Sequence, residues 1–94
     1  MNPARDGKSW YTYVLRSLKD GKLYTGSTND LQKRFKQHND GLTFSTKGRR
    51  PFELIYYEMC RNEKDTRSRE LFLKSGMGKR YLQNRLKCFL SLTG

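Results

Sequence analysis

The side chains able to do chemistry in this chain are few. There is one histidine, His38, and there are two widely separated cysteines, Cys60 and Cys88. A tetrahedral structural zinc site needs more nitrogen and sulfur ligands than these supply, so structural zinc is rejected. No segment reads GxxxxGK[ST] or GxSxG, which removes P-loop nucleotide hydrolysis and serine-hydrolase chemistry. A His38–cysteine nucleophile pair has no local support, because an unmarked cysteine behaves as a small buried hydrophobe. What remains is Tyr13, Tyr24, Arg34, His38 and Glu70, a set that offers proton exchange, anion binding and one carboxylate. Taken singly, each has a plainer use. Tyrosines pack in strands, Glu70 is a solvated helix carboxylate, and Arg34 and His38 divide evenly between structure and function.

Charge narrows the partner. Twenty Lys and Arg against nine Asp and Glu give a formal net charge of +11 in 94 residues. Self-repulsion on that scale is tolerated where a polyanion binds, and nucleic acid is the foremost candidate. A membrane is the other polyanion to weigh, but no run approaches the roughly 18 apolar residues of a spanning helix. Met1 to Ser9 is polar and lacks the apolar centre of a signal peptide. The expectation is a cytoplasmic protein with Cys60 and Cys88 as buried thiols, a single disulfide remaining open.

The elements that must position these groups follow from pattern. Residues 1–9 are expected as a flexible tail and residues 10–94 as one domain. Trp10 to Ser17, WYTYVLRS, is aromatic and β-branched and reads as a strand. Asp20-Gly21 signals a hairpin, since both residues tolerate positive φ, and Leu23 to Gly26 returns. Ser27 to Asp30 offers helix caps ahead of a helix over Leu31 to Asn39, closed by Gly41. Leu31, Phe35 and Leu42 fall on its apolar stripe, with Arg34 and His38 at the edge. A basic loop, Thr43 to Pro51, leads to a third strand, Phe52 to Cys60. A charged helix from Asn62 to Ser75 carries Thr66, Glu70 and Leu73 on one face. After an interruption at Ser75 to Gly78, a last helix, Lys79 to Leu92, sets Leu82, Leu86, Phe89 and Leu90 on one side. The order β-β-α-β-α-α predicts an α+β fold, a small three-stranded antiparallel sheet flanked by helices.

Tyr11-Thr12-Tyr13, a hairpin, Tyr24-Thr25-Gly26, then Arg34 and His38 one helical turn apart, resemble the GIY-YIG endonuclease superfamily. The resemblance runs from about Tyr11 to Leu86. It is closest to compact stand-alone bacterial members, which are similar to the nuclease domain of the excision-repair enzyme. It departs from the pattern at Tyr11 and Thr12, and at Ser27, where some relatives have lysine. A late family asparagine would map to Asn84, which the helical pattern turns away from Leu82 and Leu86. The resemblance implies a metal-dependent endonuclease acting on DNA ahead of RNA, selective for structure rather than sequence, in repair or recombination. It assigns Tyr13, Tyr24, Arg34, His38 and Glu70 to catalysis and Glu70 to one weakly held Mg²⁺ or Mn²⁺. Tyr24 becomes the general base, helped by a hydrogen bond from Tyr13. A free phenol titrates near 10, so it needs neighbouring cations to act at neutral pH. Arg34 meets the phosphate, and His38 relays a proton or positions the phosphate. Lys33, Lys36, Lys47, Arg49 and Arg50 are expected on backbone phosphates, which position without reading sequence. Two alternatives stand beside this: a nucleic-acid-binding module that does not cut, and a basic adaptor for an acidic protein. Oligomeric state is open between monomer and weak dimer.

Overall fold

The computed structural model describes residues 9–93. Strands β1 (Trp10–Ser17), β2 (Leu23–Thr28) and β3 (Phe52–Cys60) form an antiparallel sheet in the order β2-β1-β3. Helix α1 (Leu31–Asn39) follows β2, and α2 (Glu63–Lys74), α3 (Gly76–Arg85) and α4 (Lys87–Thr93) follow β3. This is the expected α+β order, with the last helix divided in two.

β1 is the central strand, so it is covered on both faces, and Tyr11 through Leu15 are all buried. On one face Tyr13, Leu15 and Phe52 form a core that Tyr24, Leu54 and the α1 residues Leu31 and Phe35 complete. On the other, Val14 meets Leu73 of α2 and Leu82 of α3. A register shift lets β3 serve both. Tyr56 pairs with Val14 but Leu54 pairs with Leu15, leaving Ile55 as an extra residue. Side chains alternate along a strand, so one extra residue reverses the facing of everything beyond it. Ile55 and Tyr56 therefore join the α2–α3 side, while Leu54 and Phe52 join α1.

The hairpin is longer than the Asp20-Gly21 pair predicts. Gly21 takes φ 74°, but among the described residues no non-glycine has positive φ, so a turn needing two such residues does not form. Instead the Ser17 hydroxyl accepts from the amides of Lys19 and Asp20 and donates to the Arg49 carbonyl at 2.6 Å. β2 also runs on to Thr28 rather than stopping at Gly26.

Asp30 caps α1 by accepting from the Lys33 amide. At its other end the Asn39 amide clamps β3, donating to the Phe52 carbonyl and accepting from the Phe52 amide at 2.7 Å. Gly41, φ 77°, turns the chain away. Leu42 therefore lies beyond the helix and is exposed, not on the apolar stripe. In the expected interruption after α2, Ser75 alone breaks the helix, its hydroxyl capping α3 through the Gly78 amide. α3 then ends at Leu86 rather than running on to Leu92. The break turns Phe89 outward, against the expected apolar side, while Leu82 stays buried. Of the expected tail, residues 1–8 lie outside the described residues, and Ser9 is buried. Both cysteines are free. Cys60 is half-buried and Cys88 exposed, which corrects the expectation of two buried thiols. Among the described residues no helix is long and apolar enough to cross a membrane.

Candidate active site

The candidate site is built around a buried polar chain. Helix α1 sets Arg34 and His38 one turn apart, but their surroundings differ sharply. Arg34 is exposed, whereas His38 is wholly buried rather than at the edge of the stripe. The basic loop folds over it, bringing the equally buried Thr46 to 2.8 Å from Nδ1. Nε2 lies 2.9 Å from the Tyr13 hydroxyl. Thr46 turns its own hydroxyl proton to the Thr43 carbonyl at 3.4 Å. It therefore accepts from Nδ1–H, which leaves Nε2 to accept from Tyr13; this network assigns the tautomer.

The electrostatics agree with that proton placement. Burial pushes the His38 imidazole below its ordinary range, and the Arg34 guanidinium adds to the effect. Burial likewise drives Tyr13 well above the usual phenol range. Tyr24 raises it further, Arg34 pulls it back, and the Glu70 carboxylate raises it again. Tyr13 thus keeps its proton and gives it to a neutral imidazole. The expected hydrogen bond between the two phenols is not formed among the described residues, because Tyr13 spends its donor on His38. The rings still gather, with centroids 6.4 Å apart for Tyr13–Tyr24 and 5.0 Å for Tyr24–His38.

Gly26 makes this arrangement possible. It is the β2 partner of Tyr13, and a Cβ placed there would stand 2.5 Å from the Tyr13 hydroxyl oxygen. The phenol lies across a position that only glycine leaves open.

Glu70 arrives from the opposite face, on α2. Its side chain is 19 % exposed and pairs with Lys74 Nζ at 2.6 Å. Among the described residues no group of three or more His, Cys, Asp and Glu side chains could hold a metal together. A single carboxylate suits a hard cation that takes its remaining ligands from water and phosphate oxygen. Glu70 fits that description, and its present pairing with an ammonium shows that the carboxylate recruits a cation.

Beside Tyr24 a cleft of about 570 Å³ runs between β2 and the α2–α3 pair, lined by Lys22, Thr25, Lys74, Lys79 and Leu82. Lys22, Lys74 and Lys79 escape a reading by sequence. Lys74 stands one helical turn beyond Glu70, which was the available signal; Lys22 and Lys79 carry none.

The five basic residues expected on phosphate divide. Lys33 is exposed and lines a polar hollow with Arg34, Thr28, Asn29, Asp30 and Gln37. Lys36 is exposed and paired with Asp40 at 2.6 Å. Lys47 and Arg50 are exposed and tied together by a bond from Arg50 Nε to the Lys47 carbonyl. Arg49 is half-buried against Asp20 at 3.4 Å, so the hairpin uses its charge. Asn84 is exposed on α3.

A family model described as the GIY-YIG catalytic domain matches residues 9–86. A UPF0213 protein of Clostridium perfringens is 46% identical over 65 residues, spanning 68% of this chain and 69% of the relative. One from Desulfotalea psychrophila is 35% identical over 74 residues, spanning 77% of this chain and 66% of the relative. The solution NMR structure of the UPF0213 protein BH0048 from Bacillus halodurans shares 33% identity at a TM-score of 0.50. It covers 81% of this chain and 83% of that one.

Proposed function

The chain belongs to the GIY-YIG catalytic domain family, and from that premise we propose that it is a divalent-metal-dependent endonuclease that hydrolyses phosphodiester bonds in DNA. It selects structure rather than sequence and serves repair or recombination. The observation that carries the reading is the convergence on the Tyr13 phenol of His38, Tyr24, Arg34 and Glu70, drawn from β1, β2, α1 and α2.

In this reading Arg34 donates to the non-bridging oxygens of the scissile phosphate, where its planar donor set matches their spacing. It stabilises the charge that grows as the phosphoryl group is displaced. Tyr24, at the mouth of the cleft, takes the proton from the attacking water. Tyr13 has committed its proton to His38, so its oxygen offers lone pairs that orient the water towards phosphorus. His38 and Thr46 hold that phenol in place. Glu70 holds Mg²⁺ or Mn²⁺, which when bound supplies charge neutralisation and assists departure of the leaving oxygen. Lys22, Lys74 and Lys79 line the path of the backbone beyond Tyr24.

One observation favours a second reading, a nucleic-acid-binding module that does not cut. The carboxylate is already satisfied by Lys74 and, among the described residues, has no acidic cluster with which to share a metal. The deciding experiment incubates the protein with flapped, branched, single-stranded and duplex DNA in Mg²⁺ or Mn²⁺. Nicking that vanishes in Glu70→Ala is expected. Tight binding with no scission under any of these conditions would transfer the chain to the second reading.

A further inference from the structure

Phe44 is the most exposed large apolar side chain among the described residues, 87 % accessible, and Leu42 beside it is 71 % accessible. Neither contributes to a core. An exposed aromatic at the tip of a loose loop is commonplace, but this loop is fixed at its root. Thr46, two residues on, is fully buried and bonded to His38; its amide also bonds the Thr43 carbonyl at 3.1 Å. The loop then closes through a 3₁₀ turn, Lys47–Arg49, and through the Arg50–Lys47 bond. The ring is thus held at a set distance from the candidate site. Its immediate neighbour is a cation, with Lys47 Nζ 5.4 Å from the ring centroid. An open aromatic face next to exposed lysine and arginine is the pairing by which proteins hold unpaired nucleotides. The ring stacks on a base and the cations take the adjacent phosphates.

We propose that Phe44 is a stacking platform for an unpaired nucleobase next to the phosphate held by Arg34, so that the preferred ligand contains a single-stranded segment. This rests on the nucleic-acid reading above and deepens it by naming the substrate class. Lys47 and Arg50 grip the backbone on either side of the stacked base. A fully paired duplex keeps its bases stacked on one another and gives the ring nothing to meet.

The test measures fluorescence anisotropy of a labelled single strand and of its blunt duplex, with and without Phe44 variants. Phe44→Ala is expected to weaken single-strand binding about tenfold, the usual loss for one stacked base, and to leave duplex binding within about twofold. Phe44→Trp restores or tightens it, while Phe44→Leu, apolar but without a π face, does not. Equal losses on both ligands, or rescue by leucine, overturn the proposal. So does a dimer in sedimentation that Phe44→Ala dissolves, because the ring would then serve a second copy of the chain. If neither ligand binds the native protein at any salt concentration, the nucleic-acid reading itself fails. If the duplex binds and Phe44→Ala changes nothing, only the stacking platform does.

Discussion

Tyr13 on the α1 face of the sheet and Tyr56 on the α2–α3 face are perturbed alike, each phenol driven well above its ordinary range by burial first. Their neighbourhoods nonetheless differ in kind. Around Tyr56 every charge is answered within the molecule. Arg69 grips Glu58 with a two-pronged bond at 3.0 Å, Glu58 accepts from the Tyr56 hydroxyl at 2.9 Å, and Arg69 lies over the rings of Phe72 and Tyr81. Around Tyr13 the ionic balance is left open. Arg34 makes no ion pair among the described residues, and Glu70 has only a solvent-facing lysine. A perturbed phenol therefore does not distinguish a structural network from a site; unspent charge beside it does. The Tyr56 cluster braces α2 and α3 against the sheet, and the Tyr13 cluster is a receptacle for a phosphate.

That contrast can be broken by substitution. Gly26→Ala has the largest expected effect, because its Cβ displaces the Tyr13 phenol and parts it from His38. It should abolish nicking and cost about 1–3 kcal/mol in urea unfolding, the usual penalty for overpacking. A variant that melts and cuts like the native chain would mean that the phenol's position is immaterial. Arg69→Ala strikes the closed network. Both partners are about a third exposed, 33 % and 30 %, so screening holds the loss to about 1–2 kcal/mol. That is a fall of roughly 4–16 °C in melting temperature, with nicking below the transition unaltered.

The buried imidazole predicts a pH dependence of smaller size. The folded state holds His38 below its ordinary pKa, so the unfolded chain binds the proton first as pH falls. Stability from this group is complete above about 6.5 and is lost as pH drops below that value. Melting curves from pH 8 to pH 5 should show the decline in the native protein and a flatter profile in His38→Gln. A parallel decline in both would assign it to other groups. Smallest is Lys74→Ala. Removing the ammonium that occupies Glu70 should tighten Mn²⁺ binding two- to fivefold by calorimetry, the worth of a half-exposed ion pair. Unchanged or weaker binding would place the metal elsewhere.

Much of the frame was legible because local patterns and the tertiary structure agree. WYTYVLRS and FELIYYEMC are strands at the expected ends, and Asp30 and Gly41 bracket α1 as their types require. The Tyr13, Tyr24, Arg34 and His38 spacings follow from that frame. Legibility stops where distant segments decide. His38 is buried by a loop whose Thr46 carries no sequence signal, so helical phase alone left it at the edge. The α3–α4 break at Leu86 lacks a glycine or proline to announce it. The direction of the Tyr13 proton depends on Thr46 and His38 together, both far along the chain from the tyrosine's own strand neighbours. The lysines of the cleft are scattered over the hairpin, α2 and α3 and meet only in the folded chain.

The most direct measurement compares Arg34→Ala with Arg69→Ala for nicking of a flapped DNA in Mn²⁺ and for melting temperature, in parallel. The account predicts that Arg34→Ala loses nicking at least about a hundredfold, as expected for a donor to the transition state, and melts like the native chain. Arg69→Ala melts lower and still cuts. An Arg34→Ala protein that nicks at the native rate would contradict the assignment of the Tyr13 cluster as the site of scission.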